Sequence, residues 1–579
     1  MRNLVFIIIV FPICSGIYGY TVASDTDNSF GKSVSVKYDF PEQSKGYYWN
    51  NVERNYNDNQ PFSIDKRLTN YEIHRSDDAT ISRSQNTTAI YNVKDFGAIG
   101  DGTTLDSKAI NRAIDTIASK GGGTLTFPAG VYLSGSIRLK SNITLYLDQG
   151  SIIEASPNVS DYDRPEPNQW KQYQDYGHSH WHNSLIWGDS IHNVSILGPG
   201  LIYGKGLTRD RGSDKLPIEL GNKSIAIVNS NHITIRDISI LHGGHFGILL
   251  SGVENATIDN LMIDTNCDGM DIDCCSNVRI TDCSVNSPWD DAIVLKTSYC
   301  LGYPKATENV TISGCYVTGG FQEGTLLDGS HKKYSEGHPV GYPPDPMGRI
   351  KLGTESNGDF KNIVINNCIF ETCYGLALES VDGSNLEDIT VSNITMRNLS
   401  SAAIFLRLGS RMRAPGTLEV GTIKRASISN IVAYNIDSTF GSLISISGIP
   451  GHKIENIKLN NILAYYKGGG RKDLALISPP EKEKKYPEPG MYGTLPSWGF
   501  FIRHVNDIEV NNVAIHYIQK DERPAFYLND VQQADFNHVK WPATKRSYNF
   551  QLKNVTDLSL HNCRPLHDIN IKEIAERNL

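Results

Sequence analysis

Asp268 and the adjacent pair Asp290-Asp291 lie one short interval apart, with 22 residues from Asp268 to Asp290. Carboxyl groups brought close together suppress one another's ionisation, so at least one keeps its proton at mildly acidic pH. Such a cluster supplies an acid and a base together, which is what glycosidic cleavage requires. Other ionisable residues sit around it. Asp271 and Asp273 follow Asp268, Lys296 ends the run Asp290-Asp-Ala-Ile-Val-Leu-Lys296, and Arg349, Lys351, Glu379 and Arg407 come later. Asp268, Asp271 and Asp273 also suit a hard cation such as calcium, and a purely structural aspartate cluster is a third reading. The loop Tyr173–His182 carries His178, His180 and His182 on alternate positions around Trp181. It is open to three readings: a metal site, a cleft wall with Trp181 as a sugar-stacking platform, and ordinary loop packing. His242 and His245 precede the apolar run Phe246-Gly-Ile-Leu-Leu250.

The elements that position these residues are repeats. A seven-residue phrase recurs in which apolar residues alternate and Asn or Asp stands sixth: His232-Ile-Thr-Ile-Arg-Asp-Ile, Asn255-Ala-Thr-Ile-Asp-Asn-Leu, Asn277-Val-Arg-Ile-Thr-Asp-Cys. It returns at Asn309, Asn362, Asp388, Arg425, Asn456, Asp507 and Asp557. Period-two alternation marks short strands with one buried face. The sixth residue (Asn260, Asp282, Asn367, Asn393, Asn430, Asn461, Asn512 and Asn562) is a bend, because Asn and Asp tolerate left-handed backbone. Strands this closely spaced, without helices between them, exclude βαβ units and predict a solenoid, an all-β parallel β-helix. Cys283, Cys315, Cys368 and Cys563 share the seventh position with Ile, Val and Leu and are expected in the core. Ile110, Ile114 and Ile117 fall at helical spacing after Thr104, a candidate N-cap, and predict a helix over 105–120 that covers the first coil.

Strand parity then divides the central coils. Ile272, Ile293, Leu295, Ile350, Leu352, Leu378 and Leu406 are expected inward. The opposite parity collects Asp271, Asp273, Lys296, Arg349, Lys351, Glu379, Phe405 and Arg407 into an outward stripe of mixed charge.

Composition narrows the class. The 579 residues are 39% hydrophobic and 20% charged, with 51 Gly and 25 Pro, which excludes a disordered or collagen-like chain. A net charge of −8 argues against generic nucleic-acid binding, and ten cysteines are too few for a disulfide scaffold. Arg2, the run Leu4–Phe11 and the small residues Gly16, Gly19 and Ala23 read as an export signal over 1–24. That predicts a secreted or periplasmic protein, with 25–90 an arm or linker and 91–579 the solenoid. No later run is long enough to span a membrane.

Tyr91-Asn-Val-Lys-Asp-Phe-Gly-Ala-Ile-Gly-Asp-Gly102, followed by Gly121-Gly-Gly-Thr-Leu-Thr-Phe-Pro-Ala-Gly-Val-Tyr132, resembles the opening of pectin-degrading β-helix enzymes. Asn266-Cys267-Asp268 and Asp290-Asp291 resemble the first two motifs of the polygalacturonases, glycoside hydrolase family 28. The resemblance implies a right-handed parallel β-helix and inverting hydrolysis of pectin; no cofactor or metal is expected. It makes Asp290 the acid, with Asp268 and Asp291 activating water. The family's Gly-His-Gly and Arg-Ile-Lys motifs are replaced by Met347-Gly348-Arg349 and Ala377-Leu378-Glu379, while Arg349-Ile350-Lys351 stands about a coil early.

Arg349 and Lys351, with Lys296, Glu379, Arg407, Trp181 and His245, are therefore the expected substrate contacts. The insertion 329–346 is expected to wall one end of the cleft and favour exo-action. The expected partner is an oligo- or polysaccharide, with the oligomeric state open. A polysaccharide lyase and a non-catalytic glycan-binding β-helix are the alternatives on this fold.

Overall fold

The computed structural model describes residues 7–13, 16–22 and 89–579, except 176, 208–220, 266, 323–324, 331–344, 417–418, 439–440 and 544–547. The chain divides into two units, Met1–Gln85 and Asn86–Leu579. In the first, Ile7–Ile13 pairs antiparallel with Gly16–Val22. The remainder of the expected export signal and nearly all of the 25–90 arm fall outside the described residues. So do Asn266 and most of the 329–346 insertion.

The second unit is a right-handed parallel β-helix. In its central part each coil contributes three short strands, such as Phe246–Ser251, Glu254–Asp259 and Met262–Asp264, and each strand pairs in parallel with its counterpart one coil on. Towards the C-terminus the second and third faces merge into longer strands, as in Thr422–Ile436 and Ile454–Gly468. The last strand, Ile569–Asn578, reverses and pairs antiparallel with Phe550–His561, which covers the final parallel edge.

Register stacks like on like. Ile227, Leu250, Ile272, Leu295, Leu352, Leu378 and Leu406 occupy one column of successive coils, all fully buried. Each such side chain contributes roughly 1.5–3 kcal/mol on burial, so a column of aliphatics along the axis is the main cohesive element. Cys283, Cys315, Cys368 and Cys563 are buried free thiols in this core.

The bends follow the sequence phrase. Asn260, Asp282, Asn367, Asn393, Asn430, Asn461, Asn512 and Asn562 all have φ between 52° and 58°. Their side-chain amides form a ladder: Asn430 donates to Asn393 at 3.0 Å, Asn461 to Asn430 at 3.0 Å and Asn512 to Asn461 at 2.8 Å. The first residue of each phrase is left-handed as well, with φ of 58° at Asn255 and Asn277 and 57° at Asn309. Each phrase therefore turns the chain twice, where the sequence suggested one bend.

The capping helix runs Ser107–Ser119 and buries Ile110, Ile114 and Ile117 against the first coil. Its N-cap position is Asp106, not Thr104. Thr104 instead donates to Asp101 at 2.9 Å, while the Asp106 carboxylate accepts the N–H groups of Ile99 and Gly100. Among the described residues no helix is long and apolar enough to cross a membrane.

Leu295→Ala, in the middle of the aliphatic column, is expected to cost about 2–5 kcal/mol of unfolding free energy, read by denaturant titration. A loss below about 1 kcal/mol, the range of a tolerated core swap, would show that the column is not the cohesive element.

Candidate active site

Asp268 opens the strand Asp268–Asp273, and Asp290 and Asp291 stand in the turn that enters the next strand of the same face, Ile293–Thr297. That turn is pinned from two sides. The Ser287 hydroxyl (3.0 Å) and the Gly348 N–H (2.9 Å) both donate to the Asp290 carbonyl. The Asp291 N–H donates to the Asp290 carboxylate at 3.0 Å. One oxygen from each of the three aspartates lies within 4.8 Å of the other two. This is tighter than the roughly 6.5–9.5 Å carboxyl separation associated with inversion. A triangle of that size places its centre about 2.8 Å from each corner, hydrogen-bonding distance for one water.

The trio lines a cavity of about 230 Å³ together with Asp175, His178, His245, Lys296, Thr354 and Tyr486. Its ionisable groups are divided by their neighbours. Burial, with the Asp271 carboxylate adding to it, pushes Asp268 up to about 7. Burial acts on Asp291 too, but Lys351 and Arg349 overcome it and hold that carboxyl down at about 2. Arg349 Nε donates to Asp291 at 2.7 Å, and Lys351 Nζ lies 3.4 Å away. At pH 5 one aspartate of the trio is thus protonated and another ionised.

His178 and Lys296 line the cavity beside Asp268. His178 Nε2 lies 2.5 Å from Asp271 and 2.6 Å from Lys296 Nζ, which is itself 3.2 Å from Asp271 and 3.5 Å from Glu355. Burial and Lys296 oppose a charge on His178, but Glu355 and Asp271 prevail and raise it to about 9. Lys296 thus takes the place that a cation would have between His178, Asp268 and Asp271. The calcium set Asp268, Asp271 and Asp273 does not assemble, because Asp273 turns to the Ser298 hydroxyl and N–H and to the thiols of Cys274 and Cys300. Nor do the three histidines converge. His180 meets the Glu166 carbonyl at 2.7 Å, and His182 stacks on Trp187 with ring centroids 4.0 Å apart.

Several expected substrate contacts are absorbed by the protein. Arg349 and Lys351 are each 1% exposed. Arg349 also binds Glu488, and Lys351 lies 3.6 Å from both Glu379 and Glu488. Glu379 is fully buried, and burial pushes its carboxyl up to about 8. Arg407 is fully buried too, and donates to Ser447, to the Gly448 carbonyl and to the Glu481 carbonyl. Trp181 is not a platform. It is 6% exposed, its indole N–H donates to Ser251 at 2.9 Å, and it packs with Phe246, Leu249 and Cys274. The outward stripe exists, but loops roof it. Of the expected contacts, Lys296 and His245 reach the cavity.

The roof supplies residues that the sequence did not single out. Tyr486 and Glu488 come from the loop after Ile454–Gly468, and Asp175 from the loop before Ile186–Asp189. Asp175 is bound by Arg413 at 2.6 Å, and the Tyr486 hydroxyl accepts from Thr354 at 2.8 Å. Glu355 was within reach of strand parity, since it continues Lys351's side of Ile350–Ser356. The Tyr486–Glu488 stretch has no signal in spacing or periodicity.

The imidazole of His178 yields a stability test. Because its folded value lies above the ordinary 6.5, it contributes stability fully present below pH 6.5 and lost as pH rises through about 9. Tm is expected to fall more steeply between pH 6.5 and 9.5 in the parent protein than in His178→Gln. Parallel profiles by scanning calorimetry would refute the charged assignment.

A parallel β-helix with an aspartate trio at the floor of a roofed cleft is the arrangement to be compared with known proteins. The family described as rhamnogalacturonase A/epimerase, pectate lyase-like, matches residues 90–288. A probable polygalacturonase of Vitis vinifera is 27% identical over 345 residues, covering 52% of this chain and 68% of its own. An exo-poly-alpha-D-galacturonosidase of Dickeya chrysanthemi is 25% identical over 397 residues, covering 57% and 60%. The crystal structure of an exopolygalacturonase from Thermotoga maritima shares the fold, with a TM-score of 0.51 at 16% identity over 85% of this chain and 95% of the other. The chain is thus similar in sequence to proteins named polygalacturonase and shares the fold of a solved exopolygalacturonase.

Proposed function

We propose that the protein is a glycoside hydrolase that removes a terminal sugar from a pectic or other acidic plant oligosaccharide outside the cell. The observation that carries this reading is the division of charge within one trio, with Asp268 raised to about 7 and Asp291 held at about 2, their oxygens within 4.8 Å of each other and of Asp290. Carboxyls this close titrate as a unit. Below about pH 7 the trio holds a proton in addition to the Asp291 charge. Asp290 is the most exposed of the three, at 9% against 2% and 3%. In this reading it passes the trio's proton to the leaving oxygen. Asp291, with Asp268 beside it, orients the attacking water near the centre of the triangle.

The relatives' names support a polygalacturonan-like substrate. The cavity supports exo-action, because about 230 Å³ lies below the roughly 300–1,000 Å³ of ordinary small-molecule pockets and suits one terminal sugar. The absorption of Arg349 and Lys351 into the protein's own ion pairs removes them as a uronate grip in that cavity.

Asp290→Asn is expected to lower turnover of pectic oligosaccharides at least about a hundredfold with the β-rich circular dichroism spectrum unchanged. Near-parental turnover in the folded variant would eliminate the mechanism. Products without ultraviolet absorbance are expected, whereas an absorbing double bond would mark a lyase.

The kcat/KM profile should fall as pH rises through about 7, where Asp268 loses its proton, and as pH falls towards about 2, where Asp291 gains one. A profile flat from pH 5 to 9 would remove Asp268 from the proton inventory.

A further inference from the structure

Lys223 stands in the same register column as Asp268: it pairs with Phe246, and Phe246 pairs with Asp268. Two strand spacings put it about 10 Å from Asp268 along the stacking axis, a distance that a short oligosaccharide spans. Lys223 is fully buried. Its ammonium meets the side-chain oxygens of Asn222 at 2.5 Å and Asn183 at 3.5 Å, and lies 5.7 Å from the Phe246 ring centre. No carboxylate among the described residues lies within 4.0 Å of it. A buried ammonium normally has a counter-charge at close range, and here burial pushes the amine down to about 7, with the more distant Glu166 carboxylate opposing the shift only in part.

A cavity of about 190 Å³ opens over this lysine, lined also by Lys171, Gln174, His180, Asn183 and Asn222. Gln174 is 8% exposed, and its Nε2 is buried without a hydrogen-bond partner. The nearby carboxylates are engaged elsewhere. Asp175, which lines this cavity and the aspartate cavity alike, is bound by Arg413. Glu166 accepts the N–H groups of Trp181 at 2.7 Å and His182 at 3.0 Å. What Lys223 lacks is a carboxylate at ion-pairing distance among the described residues. Two ammonium groups, Lys223 and Lys171, with the neutral amides of Gln174, Asn183 and Asn222 suit a carboxylate, and Asp175 on the wall disfavours a phosphate dianion.

We propose that the cavity over Lys223 is a subsite for the carboxylate of a uronic acid residue adjoining the sugar that is cleaved, a reading that rests on the glycosidase assignment above. It relocates the acidic-sugar contact from Arg349 and Lys351, which are buried in ion pairs, to a lysine two strands before Asp268. The bound carboxylate would supply Lys223 with its counter-charge and Gln174 Nε2 with an acceptor. Because the free amine is poised near neutrality, binding at pH 8 would also draw a proton onto Lys223.

The test is calorimetric titration of trigalacturonate and its methyl ester into the Asp290→Asn protein, with and without Lys223→Met. Loss of the charged contact is expected to weaken trigalacturonate at least about tenfold and to leave the ester within about a factor of two, with net proton uptake at pH 8 abolished. Gln174→Glu, nearly isosteric, places a negative charge at the same wall and should produce the same selective loss without removing a buried lysine. Equal losses for acid and ester, or no loss in either variant, would overturn the subsite. The hydrolase reading is judged separately by turnover in the parent protein. Selective loss of acid binding in a protein that cleaves nothing would sustain the subsite and defeat the hydrolase. Turnover with unselective binding would do the reverse.

Discussion

The site depends on one constraint: a face of the solenoid crowded with charge is taken out of water. Desolvation of an ion costs several kcal/mol even after relaxation, so each buried charge must be neutralised, paired or hydrogen-bonded. The protein meets this demand unevenly. Arg349 and Lys351 surround Asp291, while Lys296 and His178 are held among Asp271, Glu355 and Asp268. Glu379 and Asp268 receive less compensation, and burial raises both. Differences in titration among nearby carboxyls therefore follow from which cation the register places beside each one.

Stacking makes that placement possible. In a parallel coil a residue's neighbours along the axis are fixed by register, as when Asp273 pairs with Lys296 and Glu379 with Arg407. The aliphatic column on the inner parity holds the register, and the outer parity inherits it. Loops then close the face. Glu488 and Asp175 arrive from segments far apart in sequence: Glu488 pairs with Arg349 at the edge of a coil, and Asp175 pairs with Arg413 of a second loop. Roofing excludes water, and the exclusion strengthens every remaining electrostatic contact.

The coil was legible in the sequence because its signals are local. Alternation and Asn or Asp at the bends depend on a residue and its near neighbours, and the inward parity of Ile272, Leu295 and Leu352 follows from them. The convergence of Asp268 with Asp290 and Asp291 was legible for the same reason, since one coil separates them. What was not legible is what lies above the stripe. Parity tells that Arg407 points away from the core, not that loop carbonyls such as those of Gly448 and Glu481 will meet it. Trp181 reads as exposed because its loop is polar, yet it is buried over Leu249 and Phe246. Lys223 gave no signal, because a lysine at the start of a strand is ordinary until its surroundings are known.

The three corners of a coil differ in what they tolerate. Between the second and third faces the link is minimal, as in Asn231–Arg236 to Ser239–Leu241, Glu254–Asp259 to Met262–Asp264, and Phe360–Asn366 to Ile369–Glu371. The corners flanking the first face vary widely: from Tyr316–Thr318 to Ile350–Ser356, from Ile404–Leu408 to Thr422–Ile436, and from Ile454–Gly468 to Phe500–Gln519. Chain added at these corners leaves the pairing of strands above and below untouched. The first face is also the one that carries the aspartates. The architecture thus uncouples the scaffold from what stands over the aspartates: a roof can lengthen or shorten at these corners while the floor beneath it keeps its register.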